Sequence, residues 1–96
     1  METSQDVKNK LSVIKEKISL KYGVRSLAFF GSYSRDEQNK NSDLDVLVEF
    51  NKPIGIRFID LAQEIEDAIG FKVDLVSRKG IKNRYFKAIE SDLIYV

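Results

Sequence analysis

Between Phe29 and Phe50 the chain reads FFGSYSRDEQNKNSDLDVLVEF: an apolar run stops at Gly31-Ser32, ten residues intervene, and Asp43-Leu44-Asp45 opens a second apolar run. A glycine where a strand ends permits a sharp backbone turn. Carboxylates are disfavoured inside strands, so two of them planted at a strand start call for a chemical reason. If the turn and the aspartates serve one site, the end of the first strand must meet the beginning of the second. These two strands then run antiparallel, which a ten-residue connection allows.

Hydrophobic periodicity places the remaining elements around this pair. Val7, Leu11, Ile14 and Ile18 recur at helical spacing within residues 3–22, with Ser4 as the expected N-cap and Gly23 as the stop. Val24 to Phe30 reads as a strand, and a short helical segment is expected from Gly31 through Gln38. From Asp43 to Phe50 the side chains alternate, with Leu44, Val46, Val48 and Phe50 on one face and Asp43, Asp45, Leu47 and Glu49 on the other. Phe58, Leu61, Ala62, Ile65 and Ile69 form a helical stripe closed by Gly70; the acidic positions Asp60, Glu64, Glu66 and Asp67 fall on its expected solvent side. Lys72 to Val76 reads as a third strand, and the apolar neighbours of Asp74 suggest a central one. Ile81, Tyr85, Ala88 and Ile89 mark a last helix, and Leu93 to Val96 suits an edge strand. The second and third strands are joined through a helix, which favours parallel pairing and brings Asp74 beside Asp43 and Asp45. The expected fold is α/β, one domain over residues 1–96 with a small mixed sheet of three to four strands flanked by helices.

Composition narrows the chemistry. The 96 residues include neither cysteine nor histidine, so disulfides, thiolate zinc sites and imidazole bases are excluded and carboxylates remain as the metal ligands. Sixteen basic residues against fifteen acidic ones give a net charge of +1, so no global field draws the chain to nucleic acid or a membrane. No apolar run reaches the length of a membrane span and METSQDVKNK has no apolar signal core, so a cytoplasmic protein without direct nucleic-acid binding is expected. Asp43, Asp45 and Asp74 at one sheet end repel one another, and a hard divalent cation such as magnesium relieves that conflict. Gly31 lets the backbone approach a phosphate, and Ser32 adds a hydroxyl at the start of a short helix. Arg35 is a candidate phosphate contact or a support for the turn. The cations Arg78, Lys79, Lys82, Arg84 and Lys87 form either a solvated helix face or a contact for phosphate or an acidic partner. Tyr33 and Tyr95 read as packing residues, although a tyrosine near the site is also a candidate modification target.

Gly31-Ser32, ten residues, then Asp43-x-Asp45 resembles the GSX10DXD motif of the DNA polymerase β nucleotidyltransferase superfamily, with Arg35 and Ser42 also in family positions. The likeness extends along the chain and is nearest to the minimal nucleotidyltransferase (MNT) branch and its MntA-like antitoxins. It implies a polymerase β palm-like core, two magnesium ions held by Asp43, Asp45 and Asp74, and ATP as donor at Gly31, Ser32, Arg35 and Ser42. It also implies a partner, a HEPN-domain ribonuclease toxin silenced by adenylylation of a tyrosine. Two further readings compete: an antitoxin that occludes its partner sterically without catalysis, and a transferase acting on a small molecule or an RNA end. Asp36 departs from the pattern, since many relatives carry glycine there, and it is expected to place a negative charge near the phosphates.

Overall fold

The computed structural model describes residues 2–96 and contains a four-stranded mixed sheet in the order β3-β2-β1-β4. Helix α1 (Ser4–Tyr22) leads into β1 (Val24–Phe30), a single 3-10 turn (Gly31–Tyr33) and β2 (Leu44–Phe50). Helix α2 (Arg57–Ile69), β3 (Val73–Ser77), α3 (Asn83–Ile89), a second 3-10 turn (Glu90–Asp92) and β4 (Ile94–Tyr95) complete the chain. Both expected pairings are present. β1 and β2 are antiparallel from Val24 opposite Phe50 to Phe30 opposite Asp45, and β2 and β3 are parallel with Asp45 opposite Asp74. β4 closes the other side of β1, opposite Ala28 and Phe29.

Helices α1 and α2 cover one face of the sheet. Val7, Leu11 and Ile18 meet Leu27, Phe29, Leu44, Val46, Val48, Leu61 and Ile65 in a core where every one of these is essentially inaccessible. Each such side chain contributes about 1.5–3 kcal/mol by leaving water, enough collectively to fix which face of β2 points inward. The opposite face carries Phe30, Ala28 and Leu47, and at its end the carboxylates.

Several local expectations change. The N-cap of α1 is Thr3 rather than Ser4: the Thr3 hydroxyl accepts from Asp6 N at 3.2 Å while the Asp6 carboxylate accepts from Thr3 N at 3.0 Å, a reciprocal capping box. The helix expected through Gln38 ends after one 3-10 turn, because Asp36 adopts a left-handed backbone with φ 55°. Glu37 N donates to Ser32 O and Asp36 N to Tyr33 O, the paired bonds of a Schellman closure. β3 is an edge strand, not a central one. Its apolar Val73 and Leu75 are buried on the face toward the helical layer, while Asp74 between them is exposed. In α3 no residue is buried; Tyr85 and Ala88, expected inside, are exposed, and Ile81, Phe86 and Ile89 make only partial contact. Glu64 and Glu66 are not simple surface residues either. Glu64 accepts from the Tyr22 hydroxyl at 2.7 Å and pairs with Lys21, tying α2 to α1.

Candidate active site

The row Phe30–Asp45–Asp74 crosses three adjacent strands, and residues opposite one another in a sheet project to the same face. Asp43 lies one residue before β2, two positions from Asp45 and therefore on that same side. All three carboxylates thus lie at one end of the sheet, as the strand connections predict. Asp45 is half-buried, whereas Asp43 and Asp74 are exposed. Burial, and then repulsion from Asp74 and Asp43, push the Asp45 carboxyl up to about 6, with Arg35 opposing the shift. Among the described residues no three carboxylates stand close enough to grip one ion together in this conformation. The donor set nevertheless fits a hard dication: it is all oxygen, it shares one face, and its most buried member carries an unfavourable charge that a cation would relieve.

Gly31 leaves no room for a side chain beside Asp45. Its φ is +79°, and a Cβ built there would stand 2.4 Å from Asp45 Oδ2. The turn and the carboxylate therefore occupy adjoining space, and only a residue without a side chain fits between them. Ser32 follows half-buried, and its hydroxyl has no hydrogen-bond partner among the described residues. The short helix expected after Gly31 is a single 3-10 turn, too short to supply a helix dipole at Ser32.

Other expected site residues are engaged elsewhere. Arg35 Nε donates to Glu37 at 2.8 Å and Nη1 to Asp92 at 2.5 Å, which pins the second 3-10 turn beside the Gly-Ser turn. Any contact of Arg35 with phosphate competes with those carboxylates. Ser42 closes the connecting loop: its hydroxyl accepts from Asn39 N at 3.1 Å and its N–H donates to Asn39 O at 3.0 Å. The Asp36 carboxylate, expected near the phosphates, is instead taken up by the start of α1. Its Oδ1 accepts from Ser4 N at 2.7 Å and its Oδ2 from the Ser4 hydroxyl at 3.0 Å, so its charge sits at the N-terminus of α1. Asp36→Ala is expected to cost about 2–3 kcal/mol in urea denaturation, from left-handed strain plus the lost helix contact, whereas Asp36→Gly is expected to cost only about 1 kcal/mol. Tyr33 is a packing residue: it is buried, stacks on Phe71 with centroids 5.1 Å apart, and has its hydroxyl pushed up by burial, then by Glu2 and Asp43.

Two contributors escaped the sequence reading. Glu66 Oε2 accepts from Val73 N at 3.2 Å and so anchors the start of the strand that carries Asp74. Asp92, the partner of Arg35, comes from the far end of the chain and no local pattern announces it. A concavity of about 740 Å³, lined by residues that include Phe50, Pro53, Ile54, Phe58 and Arg78, lies at the opposite end of β2 and β3 and includes none of the expected catalytic, metal or phosphate residues. The carboxylate end is an open surface.

A glycine turn pressed against an aspartate, with further aspartates aligned on one end of a mixed sheet, defines a nucleotide-transferring α/β domain. Residues 11–96 match the nucleotidyltransferase domain family, and the chain belongs to it. A provisionally named protein adenylyltransferase of Methanocaldococcus jannaschii is 47% identical over 98 residues, covering 100% of both chains. The protein adenylyltransferase MntA of Thermococcus cleftensis is 34% identical, covering 100% of this chain and 98% of its own. Among solved structures, a provisionally named minimal nucleotidyltransferase superposes with a TM-score of 0.80 at 24% identity, covering 97% of this chain and 95% of the other. A toxin-antitoxin crystal structure with AMP-PNP gives 0.73 at 26% identity, covering 92% and 70%. A complex of tri-AMPylated Shewanella oneidensis HEPN toxin with MNT antitoxin gives 0.69 at 22% identity, covering 97% and 71%. The minimal-nucleotidyltransferase resemblance and the mixed α/β fold are thereby both borne out.

Proposed function

We propose that this chain, acting in the cytoplasm as one minimal domain over residues 1–96, adenylylates a tyrosine of a HEPN ribonuclease toxin and so silences it. The observation that carries this reading is the Gly31–Asp45 contact in register with Asp74, which brings a phosphate-approaching turn and the aligned carboxylates to one sheet end. Relatives named as protein adenylyltransferases, and a structural neighbour containing an AMPylated toxin, support the choice of reaction.

In the proposed reaction the acceptor hydroxyl oxygen bonds to the α-phosphorus of ATP, the bond to the bridging oxygen of the β-phosphate breaks, and pyrophosphate leaves. Asp43, Asp45 and Asp74 are the residues that would hold magnesium, which when bound would supply charge neutralisation and lower the proton affinity of the attacking hydroxyl. Gly31 and Ser32 receive the phosphates. Asp45, fixed by the turn, sets where the α-phosphate lies. Asp74, exposed on its edge strand, is the carboxylate open to an incoming acceptor and takes up the hydroxyl proton. The open surface suits an acceptor presented by another protein.

Incubation with α-labelled ATP, magnesium and the co-encoded HEPN protein is expected to label a tyrosine of that protein. Asp43→Asn with Asp45→Asn is expected to cut labelling by at least about a hundredfold. No label at any magnesium concentration sinks the reading. Undiminished toxin neutralisation by the double variant would instead support steric occlusion.

A further inference from the structure

On the reading above that the donor triphosphate lies at the Gly31 turn, we infer that Tyr85 is the platform on which the donor's purine stacks, selecting purine over pyrimidine nucleotides. Three observations carry this. Phe30, which immediately precedes Gly31 and stands opposite Asp45, carries the Tyr85 ring edge-to-face, with centroids 6.4 Å apart and planes at 79°. The segment bearing Tyr85 is held at the same turn from its other end, through Arg35 and Asp92. Tyr85 is nonetheless 47% exposed, on a helix with no buried residue, although a large aromatic side chain ordinarily covers itself where it can.

The other tyrosines do not meet these conditions. Tyr33 is buried against Phe71, and Tyr22 is buried among Glu64, Lys21 and Arg57. Tyr95 is exposed but pairs opposite Ala28, two residues further from the turn. Phe30 fixes the Tyr85 ring, and the exposed part of that ring is the surface left for a base. Purines present a larger stacking area than pyrimidines, and a bare aromatic ring supplies no hydrogen-bond pattern to separate adenine from guanine.

The test is calorimetric binding of magnesium-ATP, magnesium-CTP and magnesium-tripolyphosphate to the unsubstituted protein and to Tyr85→Ala, Tyr85→Phe and Tyr95→Ala. The unsubstituted protein is expected to prefer ATP over CTP. Tyr85→Ala is expected to weaken ATP by about tenfold, as loss of one base–aromatic stack does, and to level the two nucleotides while tripolyphosphate binds as before. Tyr85→Phe restores the preference, and Tyr95→Ala never loses it. Unchanged ATP affinity in Tyr85→Ala overturns the platform. So does a parallel loss of tripolyphosphate, which would mean that Tyr85 supports the fold or the phosphate turn. If the unsubstituted protein binds tripolyphosphate and no nucleotide, the platform fails alone; if it binds neither, the nucleotidyltransferase reading falls with it.

Discussion

Gly31→Ala is expected to lower adenylyl transfer by about a hundredfold, the loss that a misplacement of order 1 Å at reacting groups produces. The added methyl would stand 2.4 Å from Asp45 Oδ2, so the carboxylate must swing away from the turn. Moving a side-chain tip is inexpensive for the fold but not for the site, because that tip is the one the turn positions. The φ of +79° adds left-handed strain of about 1–2 kcal/mol. Gly23→Ala separates the two effects. Gly23 has nearly the same backbone, with φ +70° at the end of α1, and no atom within 4 Å of an added Cβ. It is expected to lose similar stability in urea while keeping its transfer rate. Equal losses of activity in the two variants would show that strain alone, and not the displaced carboxylate, is responsible.

Asp45→Asn is expected to abolish transfer and yet to make the magnesium-free protein more stable at pH 7.5, by about 1 kcal/mol. Asp45 is pushed up to about 6 from the ordinary carboxylate value of 3.8, by burial first and by Asp74 and Asp43 next, so the fold favours its neutral form. A shift of that size converts to roughly 3 kcal/mol at most, and partial exposure of the carboxylate reduces it to about 1. The sign follows from the direction of the shift. The stabilising effect of protonated Asp45 is complete below the unfolded value near 3.8 and is lost as pH rises through about 6. Asparagine cannot ionise, so its advantage should be absent near pH 3.5, grow between pH 4 and 6, and level off above. Urea denaturation across that range with EDTA measures it. Saturating magnesium should narrow the gap at pH 7.5, since a cation restores a partner to the charged form. An Asp45→Asn variant less stable than the parent at pH 7.5 would show that the carboxylate is structurally satisfied.

These predictions rest on features that were readable in the sequence to different degrees. β1, β2 and α2 were legible because their apolar spacings are long and unambiguous, and the parallel pairing of β3 followed from the helix between it and β2. The position of Asp74 in the sheet was misjudged. Val73 and Leu75 are apolar because α2 and its neighbours bury one face of β3, and burial of one face does not tell an edge strand from a central one. The third helix differs for a related reason: Tyr85 and Ala88 carry a helical spacing, but Tyr85 meets Phe30 and stays half-exposed while Ala88 is exposed. Arg35 shows the limit most clearly. The residue type suits a phosphate, but its bond to Asp92 spans 57 positions, and such a pairing is decided by tertiary geometry alone. Asp36 was identified as a departure, and its direction was missed because Ser4 lies 32 positions away.

The Asp36 closure joins the amino-terminal helix to the Gly31-Ser32 turn, and that junction makes helix end and turn thermodynamically reciprocal. Whatever free energy the docking of Ser4 on Asp36 contributes to the shape of the turn, occupancy of the turn returns to the first residues of α1. If the donor binds at that turn as proposed, fraying of α1 from its start is expected to lower donor affinity. On the same proposal, a bound donor is expected to clamp a helix end some thirty residues earlier in the chain.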